Sequence, residues 1–487
     1  MPRMVDRIGK RIWLVAAGAV VLRAVTVAGL ELYSDEAYYW LWSRRLDFGY
    51  FDHPPMVAWL ARLSSALFPG ELGLRFVFLL CGGLAVVFAG LAARELSPDP
   101  RAPVIAAALA AVAPLLALTG ALALPDAPVE AAYAAATYLL ARARGGRWAA
   151  AGVAVGLALL SKYTAALLAP ALLLLVLWDR ELRAELRTAW PWIGAGVAIV
   201  LFAPVLIWNA RHDFVSIRFQ MNHGFGRGAN LASFASFVGG QLLGVGPVAM
   251  LAGVAFLIRA RNSAARRVAA ATLVPLLVMT YSAARGPVEA NWACLVYPGL
   301  CAAAGAGLAG LSGPALRWLV GGTVALAVLV QVGFALEERT PRLIPPNSPV
   351  VNRIHGWREF ALQARARARQ ACAAAGSPAG CDPEDPMVVP SSYQVAGMLA
   401  YYGGWLRLAP AQERPSQLDL WADWPRPGAP FLHVGEDGPD AETRRRYPAA
   451  EEGPTLRWDV AFRGQVIRRG AVTAFSRFLG VNAPVAR

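Results

Sequence analysis

The chain has 487 residues, 57% of them hydrophobic and 16% charged, with a net charge of +14. Long apolar runs separated by short charged loops exclude a single water-soluble globular domain and indicate an integral membrane protein. Most basic residues flank those runs or lie in the tail instead of forming one basic face, so no nucleic-acid partner is expected and membrane lipids are.

In chain order, Met1 to Arg11 is basic and runs into an apolar stretch long enough to span, which reads as a retained signal-anchor. Roughly eleven spans are expected, at 11–32, 74–96, 103–124, 126–142, 148–160, 163–178, 189–208, 234–258, 268–284, 292–311 and 315–336. Several fall short of the ~20 residues a clean crossing needs, so 103–142 and 148–178 read as tight or partly re-entrant hairpins. Lys and Arg concentrate in the alternate loops that share a side with the N-terminus. The positive-inside rule then puts the N-terminus in the cytoplasm and the C-terminus outside. The expected architecture is a polytopic α-helical membrane domain over 1–336 with a first outer loop at 33–73. A proline-rich linker at 337–352 and a small external α/β domain at 353–487 complete it. Helices near 357–375 and 392–402 and strands at 404–408, 430–435, 456–462 and 471–478 are read there. Cys372 and Cys381 are close enough in sequence for a small disulfide loop in an oxidising compartment.

The outer side collects the residues that could carry chemistry. Asp35 and Glu36 stand where the chain leaves the first span, followed by Tyr38, Tyr39, Trp40 and Trp42. That aromatic spacing suits a short helix lying flat at the headgroup layer. Asp35 reads either as a general base or, with Ser34, as part of a helix N-terminus. Phe51-Asp52-His53-Pro54-Pro55 offers an acid and an imidazole that read as metal or phosphate ligands, or as a satisfied turn. Asp126, after Pro125, is a second acid or a helix N-cap. Lys162, one of only two lysines, interrupts an apolar run; such a charge suits an anionic partner, or it snorkels. Arg211, His212, Arg218, His223, Arg285, Glu289 and Asn291 fall on the same side, while Arg23 lies inside the first span.

These motifs resemble the polytopic GT-C glycosyltransferases, in the family 39-like branch of protein mannosyltransferases, lipid A aminoarabinose transferase and rhizobial lipid A galacturonosyltransferases. The carriers are Ser34-Asp35-Glu36-Ala37-Tyr38-Tyr39-Trp40, Gly49 to Pro55, Pro125-Asp126-Ala127-Pro128, Gly156 to Tyr163 and Glu289-Ala290-Asn291-Trp292. The resemblance implies an inverting transfer of a sugar from a polyprenyl-phosphate donor to an envelope acceptor (lipid A, glycan or protein) on the periplasmic side of a bacterial inner membrane. It implies Asp35, with Glu36 and Asp126, as the acids of the reaction, and Lys162, Tyr163, Arg218 and Arg285 around the leaving phosphate. Tyr38, Tyr39, His53, Glu289 and Asn291 are the residues expected to face acceptor or sugar. By the same resemblance Asp52, with His223 as second ligand, would hold a divalent metal (Zn, Mg or Mn); His53 stands where the aminoarabinose transferase has a lysine. A transporter or flippase of lipid-linked glycans is the rival class, but it would favour mid-membrane charges and repeated halves.

Overall fold

The computed structural model describes residues 2–224, 228, 230–311, 313–339, 345, 348–373, 382–411 and 414–480. The chain forms two compact units, Met1–Ala28 with Asp47–Ala335, and Gly29–Leu46 with Leu336–Arg487. The stretch Gly29–Leu46, expected as the end of the first span (11–32) and the start of the first outer loop (33–73), groups with the C-terminal part of the chain.

In the first unit α1 (Pro2–Val27) is followed, beyond α2 (Ser34–Trp42) of the second unit, by α3 (Met56–Leu67) and α4 (Gly70–Leu96). The expected span at 103–124 is broken into α5 (Ala102–Val112) and α6 (Pro114–Thr119), because Pro114 has no N–H to continue the ladder and Ala113 leaves the helical region. Next come α7 (Asp126–Ala141), α8 (Arg147–Ser161), a 3-10 turn (Tyr163–Leu167), α9 (Leu168–Trp178), α10 (Arg180–Glu185), α11 (Trp190–Arg211) and α12 (Val215–Gly224). The expected span at 234–258 is a bent pair, α13 (Leu231–Val245) and α14 (Pro247–Leu257), meeting at 98°. Gly246 sits between them at φ 89°, a region that suits glycine, and Pro247 starts the new helix where no N–H is needed. After α15 (Ser263–Ala283), a 3-10 turn (Ala290–Val296) leads into α16 (Tyr297–Leu308).

Every expected span contains helix. Among the described residues, however, four helices are long and apolar enough to cross a membrane: Gly70–Leu96, Trp190–Arg211, Ser263–Ala283 and Gly313–Glu337. The bent pair makes five if it counts as one span. The helices meet through small residues, as membrane helices do. At Gly152 of α8 a Cβ would run into the backbone of Gly194 in α11, and a Cβ at Gly194 into the backbone of Trp148, so those two helices touch main chain to main chain.

The second unit contains a four-stranded sheet in the order β1-β2-β4-β3, from β1 (Val388–Pro390), β2 (Phe431–Gly435), β3 (Leu456–Phe462) and β4 (Gln465–Phe475). β1 and β2 are parallel and the other pairs antiparallel. Arg463 and Gly464 join β3 to β4, both at positive φ (51° and 74°), the signature of a two-residue type I′ hairpin. Helix α17 (Trp357–Ala373) packs on β3, β4 and on α18 (Tyr393–Gly403). The strand expected at 404–408 is absent: Gly404 ends α18 in the left-handed conformation, and Leu408 makes only an isolated bridge to Val388. Cys372 is disulfide-bonded; Cys381 lies outside the described residues.

Candidate functional site

In the first unit three elements converge on one buried carboxylate. Asp126 is the first residue of α7, fixed there by Pro125. Lys162 caps the C-terminus of α8 in an extended conformation (φ −157°, ψ 137°), which turns its side chain out of the helix register. Its ammonium donates to Asp126 Oδ1 at 2.8 Å, and the two side chains are only 7% and 4% exposed. Asn291, in the 3-10 turn before α16, donates Nδ2 to both Asp126 oxygens at 3.2 Å. An ammonium carries three donors, and among the described residues Lys162 uses one. It is thus a buried cation anchored on one side with capacity left for an anionic oxygen.

A second polar layer lies next to this pair. Glu130 is one helical turn beyond Asp126 on the same face of α7, fully buried, and accepts from Thr119 Oγ1 at 2.5 Å. Arg23 reaches it electrostatically from α1 and is itself buried, so it faces the helix bundle and does not snorkel. Glu130 is not among the residues nominated from the sequence, although its i+4 spacing from Asp126 is visible in the chain.

The other nominated residues of this unit are bonded to other elements or exposed. The Tyr163 hydroxyl accepts from Asn209 Nδ2 (3.1 Å) and Ser216 Oγ (2.9 Å), tying the turn after Lys162 to α11 and α12 and leaving its own proton to donate. Around Asp52, 5% exposed, the loop is stapled to the same helices. Trp208 Nε1 donates to Asp47 Oδ2 at 2.9 Å, Gln220 Nε2 donates to the Asp52 carbonyl at 2.6 Å, and Phe51 packs on Phe219 at 4.9 Å. His53 is half-buried, and its carbonyl accepts from Tyr50 N–H. Arg218, Arg285 and Glu289 are exposed. The His223 side chain lies outside the described residues, and among those described no three His, Cys, Asp or Glu side chains gather as a metal set.

In the second unit α2 presents Asp35, partly exposed, at its second position. Tyr33 is the N-cap, not Ser34, and the Tyr33 N–H donates to Glu36 Oε2 at 2.9 Å. Glu36, 0% exposed, therefore closes the first turn of the helix, a structural task for a residue nominated as catalytic. The aromatic face does not lie open for a headgroup layer or a sugar. Tyr38 is 1% exposed, its ring 4.6 Å from Tyr393 and its hydroxyl accepting from Gln417 N–H at 2.8 Å. Tyr39 is buried beside Trp42. A Cβ at Gly397 would stand 2.6 Å from Tyr38 N, so α2 and α18 pack in direct backbone contact. Apolar surface that could have faced lipid is used as core.

The dolichyl-phosphate-mannose-protein mannosyltransferase family model matches residues 52–208. Lipid A galacturonosyltransferase RgtD of Rhizobium johnstonii is 29% identical over 377 residues, 74% of this chain and 78% of that protein. The crystal structure of ArnT from Cupriavidus metallidurans superposes in the apo state with a TM-score of 0.61, at 18% identity, over 95% of this chain and 97% of that one. Its undecaprenyl-phosphate-bound form gives 0.62 over the same shares. The chain is related to the GT-C glycosyltransferases. The segment matched by the family model contains Asp52, Asp126 and Lys162, so the buried pair lies inside it and Asp35 and Asn291 lie outside it. The GT-C fold itself extends over nearly the whole chain.

Proposed function

We propose that the protein is an inverting glycosyltransferase that moves a sugar from a polyprenyl-phosphate donor to an envelope acceptor on the outer face of a bacterial inner membrane. The observation that carries this reading is the buried Lys162 ammonium, held by Asp126 with two donors to spare. A buried cation with unused donors suits the oxygens of a departing lipid phosphate, where charge builds up as the glycosidic bond breaks. Asp35 is the base. It takes the proton of the acceptor hydroxyl while that oxygen bonds to the anomeric carbon, and the bond from that carbon to the phosphate oxygen breaks with its electron pair, inverting the centre. Exposed Arg218 and Arg285 are the further cations for the phosphate. The ArnT structure with undecaprenyl phosphate supports the donor class, and RgtD makes lipid A the first acceptor to test and galacturonate the first sugar.

The test is transfer in proteoliposomes from an undecaprenyl-phosphate-linked galacturonosyl donor to lipid A, for wild type and Asp35→Asn. Loss of a positioned base is expected to slow transfer by roughly 100- to 10,000-fold while donor binding persists. Full activity in Asp35→Asn would remove Asp35 from the mechanism, and donor translocation without any glycosylated product would favour the flippase class instead.

A further inference from the structure

At the end of α16 away from Asn291, the first unit has an apolar groove of about 460 Å³ between α14, the start of α15 and α16. Its floor is made by Ala252, Phe256, Gly307 and Leu308, and Arg259 and Arg261 stand on its rim. Both arginines are exposed, in the short connection between α14 and α15. Arg259 is braced, donating Nη1 to the Ala255 carbonyl at 2.9 Å. The same rim holds the N-terminus of the 21-residue α15, where Asn262 accepts from Ala265 N–H at 2.8 Å and the helix dipole presents its positive end.

We infer that this groove binds one anionic diacyl phospholipid, with its phosphodiester at Arg259, Arg261 and the α15 N-terminus and an acyl chain along Ala252, Phe256 and Gly307. Charge complementarity selects this occupant. An uncharged lipid would leave two arginines and a helix N-terminus facing a neutral headgroup, and a water-soluble phosphate would leave the apolar floor wet. Basic rims over interhelical grooves are a general way for membrane proteins to select acidic lipids. Gly307 forms part of the floor. A Cβ there would meet Phe256 and Ala252 at no less than 3.6 Å, so alanine fits, but a leucine side chain would fill the groove.

The inference is tested by native mass spectrometry of the full-length protein, stripped in neutral detergent and titrated with phosphatidylglycerol, phosphatidylcholine or free glycerol phosphate. Phosphatidylglycerol is expected to be retained preferentially, with Arg259→Ala/Arg261→Ala weakening it about thirtyfold. Gly307→Leu is expected to weaken it with both arginines intact, and Arg259→Lys/Arg261→Lys to keep it, which separates lost binding from lost folding. Equal retention of phosphatidylcholine, or an unchanged affinity in the double alanine variant, overturns the site. So does binding of free glycerol phosphate as tight as the lipid, or unchanged binding in Gly307→Leu.

Discussion

The first unit buries two acid–base pairs whose surroundings differ. Asp179–Arg267 is the more fully bonded pair, although one buried donor, Arg267 Nη2, has no hydrogen-bond partner among the described residues. Asp179 accepts from Glu181 N–H (3.0 Å), Leu182 N–H (3.2 Å), Ser263 Oγ (2.6 Å) and Arg267 Nε (3.2 Å). Arg267 also donates to the carbonyls of Leu140 and Ala143 and lies over the Trp148 ring at 5.8 Å. Asp126–Lys162 is also buried, and among the described residues Asn291 alone adds a side-chain hydrogen bond to it. A planar guanidinium locked among carbonyls ties helix ends together, whereas a point-charge ammonium with free donors can take a new ligand without dismantling its anchor. Neither burial of a charge nor one unused donor marks a functional residue, since Arg267 Nη2 is also unbonded; what sets Lys162 apart is that a single hydrogen bond anchors it and its other donors are unspent.

The largest effect should come from breaking the more fully bonded pair. Arg267→Ala leaves Asp179 buried without its cation and should cost about 3–5 kcal/mol of stability, read as a lowered melting temperature in detergent. Transfer per folded molecule should be unchanged, and a folded variant without activity would give Arg267 a part in the reaction. The Asp126–Lys162 pair should respond the other way. Lys162→Ala should lower kcat/KM by about 100- to 1,000-fold, the usual cost of removing one electrostatic stabiliser, with Lys162→Arg recovering part of it. A lowered melting temperature with wild-type turnover per folded molecule would make Lys162 structural.

Much of this division was legible in the chain. Lys162 stands out because it interrupts an apolar run, and Asp126 because it follows a proline at a predicted turn. Their pairing was not legible, since α7 and α8 align only through packing. The bend at Gly246-Pro247 carries a local signal that a hydropathy average over 234–258 conceals. The misplaced strand at 404–408 has a similar cause: a glycine helix stop preceded an apolar stretch that never pairs beyond Leu408. What no local pattern could show is that the aromatic face of α2 is spent on Tyr393 and Gln417, far along the chain. An amphipathic aromatic helix looks the same whether lipid or a distant helix covers it.

The smallest effect extends the comparison to a buried titratable group with one unsatisfied ring nitrogen. His433, in the interior strand β2, is 2% exposed, and its Nδ1 has no hydrogen-bond partner. Burial pulls its pKa down from 6.5 to about 4, only partly opposed by the negative charges of Asp440 and Glu452. The folded state therefore binds fewer protons than the unfolded state between these values, and stability rises with pH across that window. The contribution is complete above about pH 6.5 and falls as pH drops toward 4, by at most about 3 kcal/mol. Hydrogen exchange of the β2 and β4 amides in the full-length protein should accelerate from pH 7 to pH 5 beyond the intrinsic rate change. His433→Phe should flatten that excess, because no proton can then be taken up on opening. If the variant keeps the wild-type pH dependence, the acid sensitivity of this sheet resides in its carboxylates, and a buried histidine with one unsatisfied ring nitrogen would be costless there.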